Sequence, residues 1–193
     1  MLLIGGPSGT GKTRLSYPLA RRLGLPIVEV DDLVEALQAV TTSEQLPVLH
    51  HWATHPEAAQ LAPEGILRLH LAVAELLVPA LDAVVANHLA TNTPVIIEGD
   101  YLVPGFAARR SFGTHPADGQ VAALFLAEPS ERQLVANFAG REPDGEQTGR
   151  AQVSARFGAW LAPEAERYGV PVIPSRPWAS LERRAMAAIG TPA

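Results

Sequence analysis

The chain contains no cysteine. Disulfides and thiolate metal sites are therefore excluded, and the composition fits a reducing cytosol. It carries no long basic run, and its formal net charge is −5. A duplex nucleic acid favours a basic stripe, so such a partner is argued against. Uninterrupted apolar stretches are also missing. The longest, from about Ile66 to Leu89, is broken by Arg68, His70, Glu75, Asp82 and Asn87, which argues against a membrane span. There is no H-E-x-x-H pattern and no internal repeat. The first residues read as a strand and not as a signal peptide. What these absences leave is a cytoplasmic chain of 193 residues, 47% apolar, long enough for one domain with a substantial core.

Against that background one segment is specific. Gly6-Pro7-Ser8-Gly9-Thr10-Gly11-Lys12-Thr13 spells G-x-x-x-x-G-K-[ST], the phosphate-binding P-loop. Its glycines let the backbone N–H groups of Ser8, Gly9, Thr10, Gly11, Lys12 and Thr13 turn inward around phosphate oxygens. Lys12 is expected on the β- and γ-phosphates of ATP, and the Thr13 hydroxyl on Mg²⁺. Met1-Leu2-Leu3-Ile4 reads as a buried strand feeding the loop. Leu15, Leu19 and Leu23 recur every fourth residue, as one face of a helix. That helix points its positive N-terminal end at the phosphates.

Further along, strands alternate with helices. Residues 26–30, 95–97, 121–126 and 170–173 read as strands. Helices are expected after Leu33, from Glu64, from about Pro129, over 151–168 and over 181–189. In the long helix Ile66, Leu69, Val73, Leu76, Ala80 and Val84 form a stripe, and Pro79 is expected to kink or break it. Residues 41–65 read as an irregular, partly helical insertion on the substrate side. Residues 140–149 are polar and glycine-rich, and with the start of the next helix they suggest a lid over 140–156. Alternating elements mean an α/β domain with a parallel sheet and right-handed crossovers. Ligands bind such sheets at the C-terminal strand ends. The candidates there are the P-loop, Asp31 and Asp32, Glu98 and Asp100, and the loop after Ile173.

A P-loop alone says only that a nucleotide binds. The N-K-x-D motif that reads guanine is absent, which favours ATP, and the chain is short for a motor ATPase. A compact phosphoryl-transfer enzyme remains, and it needs an acceptor-orienting base, a metal site and cations. Asp31 is the candidate base, and Asp32 the better candidate for a helix cap. Glu98 follows an apolar strand, where a carboxylate can hold Mg²⁺ or simply shape the P-loop. Asp100 is a weaker candidate and could be a turn residue. Arg141, Arg150 and Arg156 could clamp phosphate from a closing lid, or pair on the surface with Glu142, Asp144 and Glu146. His50, His51 and His55 read as a surface cluster, since nothing else of a metal site accompanies them. Trp52 either packs or lines a substrate pocket.

The stretch Val95-Ile96-Ile97-Glu98-Gly99-Asp100-Tyr101-Leu102-Val103-Pro104-Gly105 resembles the I-I-E-G-x-x-L-V-P-G segment of 2-phosphoglycerate kinases. The opening Gly5-to-Thr13 run and Gly169-Val170-Pro171-Val172-Ile173 resemble that family too. Val30-Asp31-Asp32-Leu33-Val34-Glu35-Ala36-Leu37 is similar to the V-D-S-L-I-E-A-M segment of chloramphenicol phosphotransferase, which supplies an acceptor-activating aspartate. The resemblance implies a P-loop NTPase three-layer sandwich over residues 1–193, with a five-stranded parallel sheet of the nucleoside/shikimate-kinase type. It implies Lys12 on phosphate, Asp31 as the acceptor-activating carboxylate, Thr13 on Mg²⁺ and Arg141 in the lid; the residues themselves add Glu98 at Mg²⁺ and Arg150 on the nucleotide as candidates. The implied activity is transfer of the γ-phosphoryl group of ATP to a small-molecule hydroxyl. Two departures stand out: the chain begins directly at the strand, and the insertion around His50-His51-Trp52 matches neither group. A zeta-toxin-like or polynucleotide kinase, or a non-catalytic ATP-binding module, is the alternative.

Overall fold

A computed structural model describes residues 1–142, 145 and 147–190. Five parallel strands form its centre: β1 (Leu2–Gly5), β2 (Ile27–Glu29), β3 (Ile96–Glu98), β6 (Ala122–Ala127) and β7 (Val172–Pro174). Their spatial order is β2-β3-β1-β6-β7. Each central strand is a short apolar run because both faces of the sheet are covered. Side chains alternate across the pleat. Leu2 and Ile4 therefore pack on one face with Leu15 and Leu19 of α1 (Lys12–Leu23) and Leu181 of α8 (Leu181–Ile189). Leu3, between them, joins the other face with Ile97, Phe125 and the long helix α4 (Pro63–Ala90). On that side α7 (Thr148–Tyr168) contributes Phe157 and Leu161. The result is the three-layer α/β sandwich that the alternating pattern foretold.

The remaining elements frame the ligand edge. α2 (Val30–Val40) follows β2 directly. The insertion folds as turns, a short α3 (His51–Thr54) and a 3-10 turn over Pro56–Gln60. α6 (Glu131–Arg141) is capped by Ser130, whose hydroxyl accepts from the N–H of Gln133. Leu134 and Phe138 of α6 meet Ala151 of α7 in a small apolar cluster.

Four sequence expectations change. Asp32 does not cap α2: the helix starts at Val30 with Glu29 at its N-cap, so both aspartates lie in the first turn. There they face the positive end of the helix dipole. Pro79 does not break α4, which runs 28 residues with that proline exposed. The buried stripe of α4 is Val73, Ala74, Leu77, Leu81 and Val85, one step round from the expected one. A helix apolar on most sides does not reveal by periodicity which side meets the sheet. By length and composition α4 could cross a membrane, and in the fold it lies against the core. Finally, residues 104–116, unassigned from sequence, form α5 (Pro104–Ala107) and a hairpin of β4 (Ser111–Phe112) and β5 (His115–Pro116). Asp82 of α4 holds that hairpin, accepting from the N–H of Gly113 at 2.8 Å.

Candidate functional site

The P-loop leaves β1 and wraps the start of α1. Gly9 and Gly11 have φ of +77° and +87°, a region where a side chain is strained. A Cβ on Gly11 would also stand 2.5 Å from the ring of Trp178, so no other residue fits there. Carbonyls of the loop are pinned from outside. Asn137 of α6 donates to Gly9 O at 2.8 Å, and the Ser175 hydroxyl donates to Thr10 O at 2.6 Å. The Thr10 hydroxyl donates to Pro7 O at 2.7 Å. With the carbonyls held outward, the N–H groups at the start of α1 are left for an anion, and Gly11 offers no side-chain cap to compete. Lys12, the sole lysine in the sequence, rests its Nζ on Pro7 O at 3.2 Å.

Carboxylates gather beside this cradle. The Thr13 hydroxyl donates to Glu98 Oε1 at 2.9 Å. Glu98 is 4% exposed, and its Oε2 has no hydrogen-bond partner. Burial raises its carboxyl above the ordinary range, against the opposing pull of Lys12 and the Thr13 hydroxyl. A buried carboxylate oxygen without a partner, next to a threonine hydroxyl, is the hard oxygen donor set that suits Mg²⁺. Asp31 sits across the cleft from the P-loop. Burial raises its carboxyl, and the charge of Asp100 raises it further while Lys12 lowers it. Their neighbours Val30 and Gly99 pack closely, since a Cβ on Gly99 would lie 2.6 Å from Cβ of Val30. Lys12, Thr13, Asp31 and Asp100 line a cavity of about 710 Å³ that also takes in Arg141 and Trp178, and Glu98 lies behind its wall, bonded to Thr13.

A second cavity, of about 500 Å³, lies between the insertion, α4 and α7. Ser8, Asp100 and Phe138 line both cavities, so the two meet at the P-loop. His70 fixes the junction. Its Nε2 lies 2.9 Å from Asp100 O, and its ring stacks on Tyr101 at 4.4 Å.

No family model matches this chain. It is 25% identical to a 2-phosphoglycerate kinase of Pyrococcus furiosus over 183 residues, which are 90% of this chain and 58% of that one. Against the 2-phosphoglycerate kinase of Methanococcus maripaludis it is 28% identical over 120 residues, 57% of this chain and 38% of the relative. The chain thus spans less than two thirds of the length of these curated relatives. Among solved structures, a sugar kinase from Janibacter sp. aligns with 97% of this chain and 92% of its own, at TM-score 0.52 and 19% identity. A shikimate kinase from Acinetobacter baumannii, solved with shikimate, aligns with 96% and 89%, at TM-score 0.52 and 14% identity. The chain has the P-loop kinase fold.

In this kinase fold the arginines expected on the lid are dispersed. Arg141 ends α6 on the wall of the P-loop cavity, with Glu142 at 3.4 Å. Arg150 lines the second cavity instead, pairs with Glu142 at 2.5 Å and lies over the Phe138 ring at 4.5 Å. Arg156 pairs with Glu64 of α4 at 2.9 Å. Helix takes up both ends of the expected loop, because α6 reaches Arg141 and α7 begins at Thr148. Within the expected lid, residues 143, 144 and 146 lie outside the described residues, as do 191–193. The rings of His51 and His55 stack at 4.4 Å, and among the described residues no group of three potential ligands gathers around a metal position. Trp52 lines the second cavity. Sequence reasoning placed the loop after Ile173 near the site but did not single out Ser175 or Trp178. Asn137 was also missed, since a polar residue within an amphipathic helix carries no local signal of its partner.

Proposed function

We propose that the chain is an ATP- and Mg²⁺-dependent kinase that phosphorylates a hydroxyl group of a small molecule. One observation carries the reading. The P-loop cradle, Thr13 with Glu98 bonded behind it, and the carboxylates of Asp31 and Asp100 surround one cleft, and a second cavity opens from it. Lys12 and the N–H groups of residues 8–13 hold the triphosphate. Thr13 and Glu98 would hold Mg²⁺, which neutralises charge on the phosphates. Asp100, at the junction, orients the acceptor hydroxyl. Asp31 accepts the hydroxyl proton as its oxygen bonds to the γ-phosphorus and the bond to the bridging oxygen breaks, releasing ADP. A raised carboxyl pKa makes Asp31 a stronger base than an ordinary aspartate. Arg141, on the same wall, supplies positive charge to the transferring group. The names of the curated relatives and the P-loop kinase fold support the same class of chemistry.

The test combines calorimetry with Mg·ATP and a metabolite library screened for acceptor-dependent ADP release. Because Lys12 is the sole lysine, an amine-reactive reagent read by mass spectrometry reports on one side chain besides the N-terminus. Mg·ATP should protect Lys12 from the reagent. No binding heat and no protection would remove the nucleotide, and the kinase with it.

A further inference from the structure

Resting on that kinase reading, we infer that the acceptor is a neutral alcohol with an apolar, ring-sized body, and not a small phosphorylated or carboxylated sugar acid. The second cavity decides this. It adjoins the phosphoryl-transfer cleft at Ser8 and Asp100, so whatever fills it presents its near end to the γ-phosphate. Most of its wall is apolar: Trp52 and Leu61 from the insertion, Ile66 and Leu67 from α4, and Phe157 from α7. Its volume of about 500 Å³ lies in the range of pockets that enclose ring-bearing ligands. A three-carbon acid would leave much of that apolar wall against water.

Charge points the same way. Among the described lining residues only Asp100 and Arg150 carry full charges, and they are of opposite sign. Arg150 is engaged by both carboxylate oxygens of Glu142, at 2.5 and 3.4 Å, and covers the Phe138 ring with its guanidinium. The nearby Arg156 is engaged by Glu64 at 2.9 Å. A phosphoglycerate brings between about two and three negative charges, and phosphate sites meet such charge with available arginines or a cluster of N–H donors. This cavity offers neither. Its uncharged polar groups are few: Ser8 and the His70 ring that braces Asp100 O at the mouth, and Gln152 and Ser154 on α7. That arrangement fits one hydroxyl at the cleft end and an apolar remainder behind it.

The experiment uses the intact chain and a neutral fluorescent probe, N-phenyl-1-naphthylamine. Its emission should rise saturably with one-to-one stoichiometry. Leu61→Arg puts a cation into the cavity from an exposed position on its rim, so the fold tolerates it. It should weaken probe binding about tenfold or more, and Leu67→Arg should do the same. Mg·ATP affinity, measured by calorimetry, should not change in Leu61→Arg, which also certifies folding. Millimolar 2-phosphoglycerate should neither displace the probe nor stimulate ADP release. Non-saturable probe binding, probe binding indifferent to Leu61→Arg, or ADP release driven by 2-phosphoglycerate would each overturn the inference. The kinase reading fails separately, by loss of Mg·ATP binding while the probe still binds.

Discussion

The two cavities that meet at Ser8 and Asp100 are built in different ways. The nucleotide end is contiguous in sequence and made largely of main chain, residues 6–13 between β1 and α1. The acceptor end is assembled from side chains as far apart as Trp52 and Phe157, on the insertion, α4 and α7. A phosphate cradle needs glycine at fixed spacing, whatever the enzyme acts on. An acceptor wall needs only shape and polarity, which many residue combinations supply. On the proposed reading the first end announces chemistry and the second sets the choice of substrate. A variant at one end should move one observable and spare the other.

The largest effect is expected at Lys12. Lys12→Ala removes the sole ammonium group from the cradle, and ADP release should fall about 10³-fold with weakened Mg·ATP binding. Probe binding in the acceptor cavity should be untouched. Asp31→Asn comes next: kcat should fall about 10²-fold while Mg·ATP affinity stays within about twofold. Undiminished turnover would take Asp31 out of the mechanism. A pH profile sharpens the point. Because burial and Asp100 raise the Asp31 carboxyl, the acid limb of kcat/KM should lie above the ordinary aspartate range. Asp100→Asn removes the neighbouring negative charge, favours the ionised form of Asp31 and should move that limb to lower pH.

Glu98 ties function to stability. Its folded-state pKa is raised, so the folded chain keeps a proton that the unfolded chain has lost. The associated stabilisation is full below the unfolded value and disappears as pH rises through the folded one. At pH 7.5 the buried charge therefore opposes folding. Glu98→Gln keeps an acceptor for the Thr13 hydroxyl and removes that charge. Without Mg²⁺ it should raise Tm by about 2–4 °C at pH 7.5, and the gain should vanish near pH 4. Magnesium-supported ADP release should fall in the same variant. A lower Tm at neutral pH would mean that Lys12 compensates the carboxylate fully.

The same division governs what could be read in advance. Gly6 to Thr13, Glu98 at the end of β3 and a parallel sheet follow from local pattern, because glycine spacing and continuous apolar runs are local properties. The partners that hold the loop do not. Asn137 and Ser175 act on carbonyls more than a hundred residues away, Gly9 O and Thr10 O. The face of α4 was misjudged by one step because that helix is apolar on several sides and tertiary packing chose among them. The expectation of Arg150 on the nucleotide rests on its place at the end of the polar loop. Its pairing with Glu142 and its place on the other cavity depend on how α6 turns into α7.

The smallest effect is expected at the rim, and it tests the comparison most finely. Arg156 and Glu64 form an ion pair between α7 and α4, with side chains 62% and 53% exposed. An exposed pair of this kind is worth about 0–1 kcal/mol, so Arg156→Ala should shift Tm by no more than about 2–4 °C. If the acceptor end selects by apolar shape, the acceptor KM should also stay within about twofold, since no bound group needs the guanidinium. A KM raised about tenfold or more, with kcat intact, would show that Arg156 leaves Glu64 to hold an anionic acceptor. The acceptor end would then select by charge, as the nucleotide end does, and the contrast between the two cavities would reduce to one of sequence spacing.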